Sequence, residues 1–127
     1  MTSIPVESHR HFSRVPFHAP VVLYLPNQTV GVALLDIALK GALVQTATPI
    51  AIALHEPCRL VLPLTKEGDV IEMQGQVVHL EGLNVGMACQ DIDVLSLTQL
   101  RRLLELNTGD AELMDRELSH LFAKRGP

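Results

Sequence analysis

Up to Asp93 the apolar positions come in short runs broken by turn residues, and after it they recur at steps of three and four. VVLYL at 21–25 is a β-branched and aromatic run closed by Pro26 and Asn27, which favour a turn. TVGVALLDIA at 29–38 follows at hairpin distance and is expected to pair with it antiparallel. ALVQT at 42–46 comes after Lys40 and Gly41 as another short strand. Residues 47–57 are apolar without a clean period and are bracketed by Pro49 and Pro57, which predicts an irregular, partly buried connection. CRLVLPL at 58–64 alternates, with Pro63 assigning its end to a sheet edge. KEGD at 66–69 reads as a turn in which Gly68 supplies positive φ, and VIEMQGQVVHL at 70–80 and LNVGMACQ at 83–90 flank Glu81 and Gly82 as a hairpin. Six short strands without intervening helices predict an antiparallel barrel or sandwich.

Beyond Asp93, Leu97, Leu100, Leu103 and Leu104 define one apolar helix face, and Asn107 with Gly109 supplies its stop. A second helix opens on Asp110 as N-cap and carries Leu113, Met114, Leu118, Leu121 and Phe122 on one side. Its acidic start (Asp110, Glu112) and basic end (Lys124, Arg125) suit the helix dipole. Core packing over the barrel or an exposed sheet edge is preferred to a membrane or partner-helix role. The expected division is a flexible N-terminal loop over 1–18, a β-barrel over 19–93 and a helical extension over 94–127 packed on the same single domain.

Composition acts mainly by exclusion. A chain of 127 residues that is 47% hydrophobic is long enough for one core and too short for two ordinary domains. Aromatic residues make up 3% and Trp is absent, so the core must be aliphatic. A net charge of −4 provides no global field for a polyanion, which disfavours DNA or RNA as a partner. The beginning of the sequence lacks a secretory signal pattern, and no apolar stretch approaches the roughly 18 residues of a membrane span, so a cytoplasmic location without membrane insertion is expected. Cys58 and Cys89 lie in strand-like segments with no CxxC and read as buried thiols in preference to a disulfide.

Two short stretches carry chemistry. SHRHFSR at 8–14 places Arg10 and Arg14 four residues apart ahead of the first strand, and Asp36-Ile37-Ala38-Leu39-Lys40-Gly41 sits at the turn between two predicted strands. A guanidinium fork engages paired acceptors bidentately, pairs with phosphate and stacks on planar rings. A carboxylate such as that of Asp36 accepts hydrogen bonds from N–H donors. Gly41 is expected to let the backbone turn tightly and a ligand approach closely. The plainer alternative has Asp36 capping a turn and Gly41 serving the hairpin. His9 and His11 either flank the arginines against phosphate or base, or belong to a solvated loop. His9, His11 and His18 complete no familiar metal spacing, and no metal or cofactor is expected. Neither a nucleophile elbow nor a paired catalytic carboxylate set is present, so the chain does not read as an enzyme.

Together the two stretches resemble the paired signature of the PilZ domain, RxxxR in an N-terminal loop and [D/N]xSxxG on the barrel surface, and residues 100–118 resemble the helical extension of stand-alone PilZ proteins. The resemblance covers essentially the whole chain. It implies a six-stranded antiparallel β-barrel with C-terminal helices that binds the bacterial second messenger cyclic di-GMP, with Arg10 and Arg14 as a clamp. It further implies a receptor that changes conformation on binding and signals to a protein partner in motility or biofilm control. Ala38 stands where the motif has Ser, which removes one hydroxyl contact and keeps open a second reading, a protein-interaction module that has lost the ligand. His79 falls where related proteins present an aromatic or basic residue to the ligand. An arginine just before RxxxR favours an intercalated ligand pair; here that place holds His9, so one or two dinucleotides both stay open, and a monomer is the default expectation.

Overall fold

The computed structural model describes residues 14–125, with side chains over 14–110 and 112–120. Six strands are present: β1 (Val15–Leu25), β2 (Gln28–Ala38), β3 (Gly41–Gln45), β4 (Pro57–Pro63), β5 (Val70–Glu81) and β6 (Asn84–Ile92). Two helices follow, α1 (Val94–Thr108) and α2 (Ala111–Arg125). The strands close into a barrel in the order β1-β2-β3-β6-β5-β4, with antiparallel neighbours throughout. Closure is completed where Val22, Leu23 and Tyr24 of β1 pair with Val61, Leu60 and Arg59 of β4. There the Arg59 guanidinium lies 4.1 Å from the Tyr24 ring centroid and pairs with Glu72 at 2.8 Å, a latch across the seam.

The period-two pattern turns aliphatic side chains inward, and Leu23, Leu34, Ile37, Val44, Leu60 and Met73 are fully buried. The first strand starts earlier than its 21–25 run suggests, at Val15, so residues 15–18 of the expected loop are strand. Inward positions Val15, Phe17, Ala19, Val21, Leu23 and Leu25 alternate without a break, and the prolines at 16 and 20 take outward positions. Both prolines lie where β1 has no recorded pairing to β4, so their missing N–H groups cost the ladder little.

Turns follow their residues. Gly68 and Gly82 adopt φ 107 and 61, and residues 47–56 form the irregular connection between β3 and β4. His55 is the unexpected backbone feature: it holds φ 71 without being glycine. Its N–H donates to Val77 O at 2.6 Å while the Val77 N–H donates to Glu56 O at 2.9 Å, so two loop residues oppose one on β5.

Neither cysteine forms a disulfide; Cys58 is buried as expected, whereas Cys89 is only half-buried. Cys58 and Cys89 flank Gly75 in register from opposite sides, two strand spacings or about 9.5 Å apart, beyond the reach of a disulfide. Burial, then the charges of Glu56 and Cys89, push the Cys58 thiol up to about 11.

Leu100 and Leu104 of α1 and Met114 of α2 are buried in the barrel's core cluster. Asp93 caps α1 by accepting from the Ser96 N–H at 2.7 Å, and the Ser96 hydroxyl accepts in turn from the Glu72 N–H at 3.0 Å, tying the helix start to β5. Gly109 ends α1 at φ 70, its N–H donating to Glu105 O, and Asp110 accepts from the Leu113 N–H at 2.9 Å as the expected cap of α2. Arg101 bridges the helices by pairing with Glu105 and Asp115. The side chains of Leu121, Phe122, Lys124 and Arg125 lie outside the described residues.

Candidate functional site

The two chemistry-bearing stretches meet on the outer face of the barrel. Arg14, immediately before β1, donates from Nε and Nη2 to Asp36 Oδ1 at 3.0 and 2.7 Å. Asp36 is set near the end of β2 by the pairing of Pro16 with Asp36 and of Asp36 with Leu43, each next to a register shift. A shift of this kind inserts a residue on one strand and re-aims the side chains beside it. Arg10, His9 and His11 lie outside the described residues.

The register extends the site across the sheet. Asp36 pairs with Leu43 on β3, Leu43 with Gly86 on β6, and Gly86 with His79 on β5. Directly opposed residues share a face, so the four form one outward row of about 14 Å from Asp36 to His79. His79 is exposed, with Nε2 3.4 Å from Glu81 Oε1. A parallel row runs from Ala38 through Gly41 and Ala88 to Gln76. Sequence reasoning missed Leu43, Gly86, Ala88 and Gln76, because only the register makes them neighbours of the motif. An isolated glycine inside the strand-like LNVGMACQ was the one local hint of close approach there.

The second motif differs in detail from its expected role. Gly41 does not take a positive φ; Leu39 and Lys40 form the turn, with Leu39 buried as an anchor in the core. Glycine is needed at 41 because a Cβ there would meet Met87 O at 2.2 Å. Gly75, on the other side of β6, is tighter still, with Ala88 O 1.7 Å from its ideal Cβ. The two glycines thus let β6 pass close on both sides. Ala38 is only 6% exposed and lines the second row as a small, nearly covered methyl.

What this arrangement offers is an outer strip with a guanidinium and a carboxylate at one end, Leu43 and the small residues Gly41, Gly86 and Ala88 along it, and an imidazole at the other. It holds no nucleophile–base pair among the described residues. Among the described residues no group of three His, Cys, Asp or Glu side chains is placed to hold a metal ion. No helix there is long and apolar enough to cross a membrane.

The PilZ domain family matches residues 8–106, a span that contains both motifs, the whole barrel and most of α1. The chain belongs to the PilZ domain family. Its barrel is similar to the PilZ domain of CeSA from a cellulose-synthesizing bacterium, at 15% identity and TM-score 0.58 over 76% of this chain and 96% of that one. It is also similar to the PilZ domain of YcgR from Escherichia coli, a structure with c-di-GMP, at 16% identity and TM-score 0.58 over 79% and 92%. Bacillus subtilis MotI/DgrA, an inhibitor of motility, matches at 19% identity and TM-score 0.61 over 74% of this chain and 51% of that one. As a PilZ fold the barrel accounts for residues 15–92, and α2 lies beyond the family match.

Proposed function

We propose that this PilZ protein is a cytoplasmic, non-catalytic receptor for cyclic di-GMP that signals ligand occupancy to a protein partner. The observation that carries the reading is the Arg14–Asp36 pair, which joins the two motifs across 22 residues at the head of the outer row. Four residues of chain span about 14 Å when extended, so Arg10 has the reach to contact ligand anywhere between Asp36 and His79. On this reading Arg14 and Arg10 grip phosphate and guanine, Asp36 accepts from the guanine N1 and N2 side, and His79 meets a base at the far end. His9 and His11 flank the clamp, while Ala38 and Gly41 form the low ground between. Residues 1–14 serve as the ligand-responsive part and the barrel with its helices as the body that holds it.

The ligand assignment draws on the similarity to a YcgR domain solved with c-di-GMP, and a motility output on the similarity to a motility inhibitor. Ala38 favours one rival, a PilZ interaction module without ligand, because the motif hydroxyl is absent. A thermal-shift series with cyclic di-GMP, GTP and cyclic AMP separates the two. The receptor reading expects a saturable rise in Tm with cyclic di-GMP alone; no rise at millimolar ligand supports the interaction module.

A further inference from the structure

Gly86 sits inside β6 with an ordinary backbone conformation, so nothing in its φ requires glycine. A glycine there weakens the strand and needs another reason. The reason is on β5: an ideal Cβ at Gly86 would lie 2.9 Å from His79 Cβ and 3.7 Å from His79 Cγ, with no other atom nearer. The register slips between Val77 and His79, so Val78 is the extra residue that sets the direction in which His79 leaves the strand. Gly86 is itself buried although it lies on the outer face beside an exposed histidine.

We propose that Gly86 is a positioning residue for ligand recognition: with the bulge at Val78 it lets the His79 side chain pack close over β6, presenting the imidazole as a wall against which a guanine stacks. This rests on the cyclic di-GMP reading. With a Cβ at position 86, His79 would be pushed off the strand pair toward solvent. The assignment places the two recognition groups at opposite ends of the Asp36–Leu43–Gly86–His79 row, a carboxylate that reads the edge of one guanine and, about 14 Å away, a ring that covers the face of the other base.

The test is a double-mutant cycle on the full chain, with cyclic di-GMP affinity and Tm measured for the parent, Gly86→Ala, His79→Gly and the double variant. Each single change is expected to weaken binding about fivefold to tenfold, the range of an aromatic stacking contact. The double variant is expected to bind no more weakly than His79→Gly alone, because no ring is left to position and no Cβ to collide. If Gly86→Ala does not fold, the comparison of His79→Gly with the double variant still decides. A further loss between those two, or losses that multiply around the cycle, would overturn the proposal. So would unchanged binding by a folded Gly86→Ala. A second readout is the His79 Hε1 resonance, expected to shift with ligand in the parent and not in Gly86→Ala; the same shift in both counts against positioning. Absence of binding by the parent removes the receptor reading itself, whereas parent binding with an additive cycle removes only the role of Gly86.

Discussion

Arg14 uses two donors on a single oxygen, Asp36 Oδ1, leaving Asp36 Oδ2 and Arg14 Nη1 outside the pair. A half-used carboxylate and a half-used guanidinium at one point are what a ligand bearing both donors and acceptors can enter without dismantling the pair.

Removing Arg14 should therefore separate stability from binding. The Arg14 side chain is 58% exposed, so solvent screens the pair and Arg14→Ala is expected to cost at most about 0.5 kcal/mol in urea unfolding. Cyclic di-GMP affinity is expected to fall by about tenfold or more. A large stability loss with unchanged affinity would make the pair a structural strut.

Ala38→Ser is expected to act in the opposite direction. Ala38 heads the second outer row and is nearly covered, so a hydroxyl there is useful only to a ligand lying on the row. Calorimetry is expected to show tighter binding, by up to about tenfold, the worth of one net hydrogen bond. Unchanged binding would mean that the hydroxyl cannot reach the ligand, and weaker binding that it obstructs it.

His55 tests the backbone. It occupies the place in a bulge where a left-handed conformation favours glycine. His55→Gly is expected to be neutral or to raise stability by up to about 1 kcal/mol, and His55→Val to lower it by about 1–2 kcal/mol. Equal effects of the two in urea melts would show that the conformation carries no strain.

Gly75 and Gly31 form a contrasting pair. A Cβ at Gly75 would overlap Ala88 O, while one at Gly31 has nothing within 4 Å. Gly75→Ala is expected to cost about 2–3 kcal/mol as β5 and β6 are forced apart, and Gly31→Ala to be neutral or slightly stabilising. Similar unfolding midpoints for the two would contradict the close passage of β6.

Asp93 gives a pH dependence. The Ser96 N–H is the chief cause that holds its carboxyl below the ordinary value of 3.8. A depressed native pKa means that the contribution is full above the unfolded value and is lost as pH falls through the native one. Asp93→Ala is expected to cost about 1 kcal/mol at pH 7. The difference from the parent should shrink below pH 3.8 and vanish in stronger acid; a difference constant with pH would remove the cap's charge from the account.

The strands were legible because alternation is local: Val21–Leu25 and the hairpin about Gly82 can be read without knowing what packs on them. The start of β1 was not, because Pro16 and Pro20 interrupt its apolar alternation, and the edge without β4 pairing that accommodates them is a property of the assembled barrel. Arg14 and Asp36 could be named from residue type and motif spacing, and His79 only from the resemblance to PilZ proteins. Leu43 and Gly86 could not, because they adjoin the motif only through strand register, above all the pairing of β3 with β6, which joins segments more than forty residues apart. The tight-turn role expected of Gly41 was not met for the same cause: the steric demand comes from Met87, on a strand more than forty residues away in sequence.

Isothermal titration of the full chain with cyclic di-GMP is the most direct test of the central claim. The account predicts saturable heat at one or two dinucleotides per chain, absent with GTP and strongly reduced in Arg14→Ala. A flat titration with folded protein at high ligand concentration would contradict it.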